Sequence, residues 1–182
     1  MVIRQSQETG KSLLAAARSE FAQHGFAGTD SNKIARAAGF APQTFYRWFR
    51  DKTEIFIAVY RSWEEEERAM LEALQGASSR KLADAIVAHH REHLMFRRSL
   101  RQLAVHDDTV RRARAESRLR QIARIREASA SRAPKANEVA VGLLQIERLA
   151  DAIAEGELRD LGLGEGPART ALAGLIDSLR ES

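Results

Sequence analysis

Residues 39–52 read GFAPQTFYRWFRDK, and this stretch decides the fold of the N-terminal part of the chain. It holds five of the eleven aromatic residues of the 182-residue chain, namely Phe40, Phe45, Tyr46, Trp48 and Phe49. Positive charge is interleaved with them, at Arg47, Arg50 and Lys52. Gly39 indicates a tight turn, and Pro42 suits the first position of a helix because its missing N–H would have no partner there. The stretch therefore predicts a turn followed by a short helix over residues 42–49.

The aromatic side chains of this short helix divide into an inner and an outer set. Phe45 and Phe49 lie one turn apart, so they share a face and are expected to pack inward. Gln43, Tyr46 and Arg47 then point mostly outward. A tyrosine hydroxyl on such a basic surface can reach a phosphate. Trp48 can pack against the following helix or remain exposed.

Two helices are predicted before this stretch. Residues 9–24 carry a single apolar face, and Gly25 ends that helix. Thr29 or Asp30 can cap the next helix, which covers residues 31–39. Three short helices with a glycine-centred turn between the second and third form a helix-turn-helix unit.

The net charge of +4 at pH 7 lies entirely in the N-terminal part. Residues 1–52 hold eight basic and four acidic side chains, whereas residues 53–182 are balanced. A local basic excess is expected of a module that binds a polyanion, although it also occurs on an ordinary solvated surface. We therefore predict a DNA-binding domain at residues 1–52.

The rest of the chain predicts helices only. Pro is scarce, β-branched runs are few, and no segment alternates apolar and polar residues. We expect an all-α protein in which residues 53–182 form a second, helical domain. No cysteine is present, which excludes disulfides and thiolate metal sites. The polar first residues and the lack of any apolar run near 18 residues predict a soluble, cytoplasmic protein that does not bind a membrane.

Residues 21–60 resemble the N-terminal domain of the tetracycline-repressor (TetR) family of bacterial transcription regulators. The matching residues are Gly25, Phe26, Thr29, Ile34, Ala35, Ala38, Gly39, Thr44, Tyr46, Phe49 and Lys52. The resemblance implies that the helix at residues 42–49 enters the major groove of double-stranded DNA. It also implies that residues 53–182 form a ligand-binding and dimerisation domain. Asp30-Ser31 departs from the family pattern of a second hydroxyl residue and an aliphatic, which makes a phosphate contact at Asp30 unexpected.

The resemblance implies a set of DNA contacts. Gln43 would face base edges, where an amide can bond adenine. Thr44, Tyr46 and Lys52 resemble phosphate contacts, which fix register without discriminating sequence. Arg47 would contact a base or a phosphate. The full predicted set is Thr29, Asn32, Lys33, Pro42, Gln43, Thr44, Tyr46, Arg47 and Lys52.

The last two helices suggest a homodimer. Residues 136–155 carry apolar side chains on two faces, which suits packing both inward and against a partner. Near the C-terminus, leucines and small residues form neighbouring stripes that allow close helix approach. Burial within one subunit is the alternative. The predicted interface residues are Leu143, Ile146, Ala171, Leu172, Gly174, Leu175 and Ser178.

A helix predicted from Ser79 to Val105 places two histidines on an apolar stripe, where they could line an effector pocket. The predicted ligand-binding residues are Trp63, Ile86, His89, His93, Phe96 and Leu103, with core packing as the alternative. His89 and His93 also have the i, i+4 spacing of a helical metal pair. The sequence favours histidines satisfied in the core by the backbone or by Glu92, so no metal or other cofactor is expected.

The sequence contains no catalytic constellation, and we expect no enzymatic activity. The predicted function is a ligand-responsive transcriptional regulator, in particular a repressor that binds an inverted repeat as a dimer and is released by a small-molecule effector. An interaction protein that uses DNA only as a non-specific tether is the alternative. The arginines between Arg111 and Arg126 could form a solvated face, pair with Glu64–Glu67, or attract an anionic effector.

Overall fold

A computed structural model describes residues 2–128 and 134–181, with side chains from residue 7 onward. Within these ranges the chain forms helices and no strand, which confirms the all-α prediction. The helices are α1 (Val2–His24), α2 (Ser31–Ala37), α3 (Pro42–Tyr46), α4 (Lys52–Ala73), α5 (Ser79–Glu92), α6 (Leu94–His106), α7 (Asp108–Ala128), α8 (Ala136–Glu155), α9 (Glu157–Asp160) and α10 (Gly166–Glu181). No helix in the described part of the chain is both long and apolar enough to span a bilayer.

The helix predicted over residues 79–105 is wrong in one respect, because the chain forms two helices there. α5 ends at Glu92 and α6 begins at Leu94. His93 lies between them, with φ −106° and ψ 22°, outside helical geometry. Neither Gly nor Pro stands at the break, and the apolar residues keep a helical spacing on both sides of it. The sequence therefore predicted one continuous helix. Phe96 therefore belongs to α6 and not to the helix that carries His89.

The chain divides into two compact units. Unit 1 comprises Met1–Glu66 and Met95–Ala113, and unit 2 comprises Glu67–Leu94 and Arg114–Ser182. The division between a DNA-binding domain at residues 1–52 and a ligand-binding and dimerisation domain at residues 53–182 remains a prediction.

The core of unit 1 is rich in phenylalanine. Phe56 lies at its centre, with ring centroids 5.1 Å from Phe21, 5.2 Å from Phe26 and 4.5 Å from Phe96. Phe45 is fully buried in the same cluster. Residues of α4 and α6 therefore complete the core on which the first three helices pack.

Side-chain caps fix the starts of α2 and α4. The Asp30 carboxylate accepts a hydrogen bond from the Lys33 N–H at 2.8 Å, which confirms Asp30 as the cap of α2. At α4, Asp51 accepts from the Glu54 N–H at 2.8 Å, and Glu54 accepts from the Arg50 N–H at 2.6 Å. This reciprocal arrangement satisfies amides that have no partner inside the helix.

The core of unit 2 lies between α5, α8 and α10. Its fully buried residues include Val87, Ala150, Ile153 and Leu172. α8 and α10 approach closely at Gly142, where a Cβ atom would lie 2.7 Å from Leu179 Cδ2.

Candidate functional site

The short helix α3 is anchored by one buried side chain. Phe45 is fully buried, and the half-buried Phe40 and Phe49 pack against the same core. The Phe45 and Phe49 rings lie 5.7 Å apart. This confirms the predicted inward face of Phe45 and Phe49. The buried face sets the orientation of α3, so the other side chains of the helix point away from the core.

The outer face of α3 presents polar and aromatic side chains to solvent. Gln43, Tyr46 and Arg47 are exposed, at the i, i+3 and i+4 positions that share one side of a helix. Tyr46 keeps 57% of its surface accessible although its ring packs edge-on against Phe45. Pro42 and Thr44 are half-buried. The exposed set combines an amide, a phenol and a guanidinium. These groups can donate hydrogen bonds to base edges and to phosphate oxygens.

α2 adds basic side chains beside α3, against which it packs. Asn32 and Lys33 are exposed, and the Lys33 ammonium donates to the Gly28 carbonyl at 2.9 Å. Arg36 is also exposed and shares their face, three and four residues further along. It was absent from the predicted DNA contacts, although its spacing from Asn32 could have indicated it.

Asp30 lies among these cations but is held by the helix. The hydrogen bond from the Lys33 N–H lowers the pKa of Asp30, with smaller effects from the Asn32 N–H and the charges of Lys33 and Arg36. The carboxylate is therefore ionised at neutral pH. Since it also faces solvent, it is expected to repel a phosphate at this position.

Thr29 and Lys52 make contacts inside unit 1. The Thr29 side chain is buried, and its hydroxyl donates to the Glu20 carbonyl at 3.3 Å. Lys52 Nζ donates to the carbonyls of Phe26 at 2.8 Å and Thr29 at 2.7 Å, and lies 4.0 Å above the Phe26 ring. Burial lowers the pKa of Lys52, and the charge of Asp30 opposes this shift. Both residues therefore hold the turn between α1 and α2 relative to α4.

Trp48 lies against the first helix and keeps 37% of its surface exposed. A Cβ atom at Gly10 would lie 2.9 Å from Trp48 Cζ3 and 3.0 Å from Cε3. Only a residue without a side chain lets the indole approach α1 so closely. Gly10, which the sequence analysis did not single out, thus positions the residue that follows α3.

Residues 13–59 match the family described as bacterial regulatory proteins, tetR family. The match contains the helix-turn-helix unit and every residue of the α2 and α3 faces described above. Over residues 13–59 this chain is therefore similar to the TetR family.

Solved structures share the fold of this chain over nearly its whole length. A protein from Rhodococcus sp., described as a TetR-family transcriptional regulator, is 23% identical with a TM-score of 0.70, over 96% of this chain and 99% of its own. One from Mesorhizobium loti MAFF303099, described in the same way, is 20% identical with a TM-score of 0.65, over 97% and 95%. A transcriptional regulator from Saccharomonospora viridis, solved in complex with choline, is 17% identical with a TM-score of 0.67, over 94% and 96%.

Four of the residues predicted to bind an effector lie in the hydrophobic cores of the two units. Trp63 and Phe96 are buried in unit 1, and Leu103 packs against the same cluster. The Arg97 guanidinium lies 4.9 Å above the Trp63 ring. Ile86 belongs to the core of unit 2. Core packing, the alternative noted from the sequence, describes these four positions, and their contact with an effector remains a prediction.

The residues predicted for the dimer interface differ in exposure. Leu172 is fully buried within its own unit, so it has no surface to offer a partner. Ala171, Gly174 and Ser178 are exposed on α10. The half-buried predicted residues are Leu143, Ile146 and Leu175.

An apolar groove lies between α8 and α10. Only some of the residues that line it were among those predicted for the dimer interface. Val141 and Leu144 are 54% and 55% exposed, which confirms that α8 has a second apolar face. The groove has a volume of about 380 Å³. Its lining includes Val141, Gly142, Leu175, Ser178 and Leu179.

Two arginines of the arginine-rich helix α7 pair with α8. Arg114 and Arg118 of unit 2 both donate to the half-buried Glu147 carboxylate, Arg114 at 3.1 Å. Within unit 1, Glu66 of the acidic run binds Arg18 of α1. Part of the arginine cluster therefore stabilises unit 2.

Three histidines gather at the C-terminal end of α5 in unit 2. The His89 and His93 rings lie 4.7 Å apart and meet edge to face. Buried His90 places Nδ1 2.9 Å from Asp151 Oδ1 and Nε2 3.8 Å from Glu67 Oε1. Burial lowers the pKa of His89 to about 4, although the charge of Glu67 opposes this shift. The His89 imidazole is therefore neutral at pH 7.

Proposed function

We propose that this protein is a sequence-specific DNA-binding regulator of the TetR family, and in particular a repressor that binds an inverted-repeat operator as a homodimer and is released by a small-molecule effector. The observation that carries the proposal is the outer face of α3, where Gln43, Tyr46 and Arg47 are exposed while Phe45 holds the helix from behind. Such a rigid support lets a short helix present donors to a groove in one fixed orientation.

The proposed contacts divide by what they recognise. Gln43 hydrogen-bonds a base edge, whereas Thr44 and Tyr46 bind phosphates. Arg47 binds a base or a phosphate. Pro42 starts the helix and packs along the backbone of the DNA.

Flanking residues supply the sequence-independent part of the affinity. Asn32, Lys33 and Arg36 of α2 contact the phosphates beside the groove. Lys52 contributes to the same electrostatic term, because its ammonium has three N–H groups and only two bind the carbonyls of Phe26 and Thr29. We assign Thr29 a positioning role, since its hydroxyl binds inward.

Dimerisation is proposed through the outward face of α8 and α10 in unit 2. Exposed Val141 and Leu144 supply apolar area, and the small side chains Ala171, Gly174 and Ser178 allow the helices of a second copy to approach closely. A two-fold axis through this face makes the same patch complementary to itself. The two α3 helices then bind half-sites about 34–36 Å apart, or a multiple of this distance.

The effector is proposed to bind among the helices that follow residue 52. By favouring a conformation whose α3 helices no longer match the half-site spacing, it weakens operator binding. The coupling is reciprocal, so operator DNA weakens effector binding by the same factor.

Two substitutions on α3 test the assignment of roles. Tyr46→Phe removes one hydrogen bond to a phosphate and is expected to weaken operator and random DNA alike, by about 10-fold. Gln43→Ala is expected to reduce the ratio of operator to random affinity by at least about 5-fold, with little change in random binding. Both affinities are measured by fluorescence anisotropy at one salt concentration. An equal loss of specificity in the two variants refutes the division of roles.

The proposed interface is tested by placing a negative charge on the exposed apolar face of α8. Leu144→Glu is expected to convert the dimer to a monomer in sedimentation velocity, because a carboxylate in a dry interface is left without a partner. Ala88→Glu, at an exposed position on α5 of the same unit, is the matched control and keeps the dimer. A Leu144→Glu protein that remains dimeric would show that the subunits meet elsewhere.

A further inference from the structure

Three side chains with nitrogen or oxygen atoms that can bind a metal ion lie together at the C-terminal end of α5. One nitrogen each of His89 and His93 and one carboxylate oxygen of Glu92 all lie within 4.8 Å of one another. The three residues are spaced at i, i+3 and i+4, which places them on one side of the C-terminal end of α5.

We propose that His89, Glu92 and His93 bind a divalent transition-metal ion of the zinc, cobalt or nickel class, with solvent completing the coordination. Two imidazole nitrogens and one carboxylate oxygen form a donor set that such borderline ions favour over Mg²⁺ or Ca²⁺. The site belongs to unit 2 alone, and it is distinct from the α2 and α3 faces proposed to bind DNA.

The distances permit closure on an ion by small side-chain rotations. Bonds of about 2.0–2.1 Å in tetrahedral geometry place two ligand atoms about 3.3 Å apart. The ligand atoms must therefore approach one another by no more than about 1.5 Å from their present separation. Glu92 is exposed and His93 half-buried, so both can rotate and an ion can enter from solvent. His89 is buried and supplies the fixed side of the site.

The surroundings favour a cation at this position. The site lies at the C-terminal end of α5, where the helix dipole places partial negative charge. The Glu67 carboxylate adds negative charge beside the site, since its Oε1 lies 3.8 Å from Nε2 of the adjacent His90.

His90 and Asp151 form the buried support beneath the site. Their 2.9 Å contact joins α5 to α8, next to the histidine that we assign as the fixed ligand. A ligand held on a rigid element loses little freedom when it binds the ion. Since Asp151 and His90 are buried, they define the inner wall and not the entry side.

The test uses the full chain, freed of metal by a chelator and carrying no histidine tag. Zn²⁺ is titrated in competition with a chromophoric chelator, and Co²⁺ is added separately to observe its visible ligand-field absorption. We expect one equivalent of Zn²⁺ per chain and a cobalt spectrum typical of nitrogen and oxygen ligands.

Variants at the solvent side keep the test independent of folding. His93→Ala and Glu92→Gln are each expected to weaken Zn²⁺ binding by at least about 10-fold while circular dichroism stays unchanged. His106→Ala, an exposed histidine outside the cluster, is the matched control and keeps wild-type affinity. Unchanged affinity in His93→Ala, or no binding beyond that of exposed histidines, overturns the proposal. DNA binding is not used as the readout, so the result is separate from the proposed regulatory function.

Discussion

Replacing Lys52 by Met tests how the turn before α2 is held. The substitution keeps most of the aliphatic stem and removes the ammonium that donates to the carbonyls of Phe26 and Thr29 and lies 4.0 Å above the Phe26 ring. Hydrogen bonds from a charged donor contribute about 1.5–3 kcal/mol each when buried, and about 1 kcal/mol is reasonable here because Lys52 is half-buried. With about 0.5 kcal/mol for the cation–π contact, the expected loss is about 2–3 kcal/mol.

The loss is measured by urea unfolding followed by circular dichroism at 25 °C. Lys11→Met, at an exposed position on α1 of the same unit, is the matched control and should change the free energy of unfolding by less than about 0.5 kcal/mol. A Lys52→Met protein as stable as the control would refute the role assigned to these bonds.

The same variant reports on the proposed phosphate contact. If the third N–H of Lys52 binds a phosphate, the slope of log affinity against log salt becomes shallower by about one in Lys52→Met. An unchanged slope together with reduced stability would assign Lys52 to positioning alone.

Two further predictions concern the first helices. Because the hydrogen bond from the Lys33 N–H lowers the pKa of Asp30 in the folded state, the cap contributes its full stability above the unfolded value of 3.8 and loses it as pH falls through the lower folded value. Asp30→Asn, which caps without titrating, should therefore gain on the wild type in urea unfolding below pH 3.8, and a pH-independent difference would contradict this. Gly10→Ala should fail to deliver the gain of about 1 kcal/mol that Ala brings to a helix, because its Cβ meets the Trp48 ring at 2.9 Å. The gain should return when Trp48→Ala is added, and additive effects of the two changes would contradict the contact.

Interactions between residues that are close in sequence were sufficient to predict the helix-turn-helix unit. Asp30 caps α2 because its carboxylate accepts a hydrogen bond from the first turn, and Pro42 begins α3 because its fixed φ suits that position. Phe45 is buried because it forms an apolar i, i+4 pair on one face. Each of these effects acts over only a few residues. The outward position of Gln43, Tyr46 and Arg47 followed from the same periodicity. For these residues the sequence was sufficient.

Long-range contacts account for what the sequence could not indicate. Lys52 binds the carbonyls of Phe26 and Thr29, 26 and 23 residues away, and no periodicity encodes such a contact. Leu172 was assigned to a partner, yet it is fully buried between helices of its own unit. Apolar patterning marks a face as buried without telling which surface covers it.

The helix break at His93 was missed for a related reason. No helix-breaking residue stands there, so a single periodic stripe ran through two helices of different units. The cluster of His89, Glu92 and His93, by contrast, follows from their i, i+3 and i+4 spacing, and the structure places one ligand atom of each within 4.8 Å of the others.

The most direct test of the account is selection of bound fragments from a random DNA pool by the purified protein at about 150 mM salt, where non-specific phosphate contacts are weakened. The account predicts recovery of an inverted repeat whose half-sites are spaced by about one helical turn or a multiple of it. The Gln43→Ala protein, selected in parallel, should recover a repeat with relaxed preference at one base pair of each half-site. Recovery of bulk DNA without any enriched sequence would contradict the central claim and favour a protein that uses DNA only as a tether.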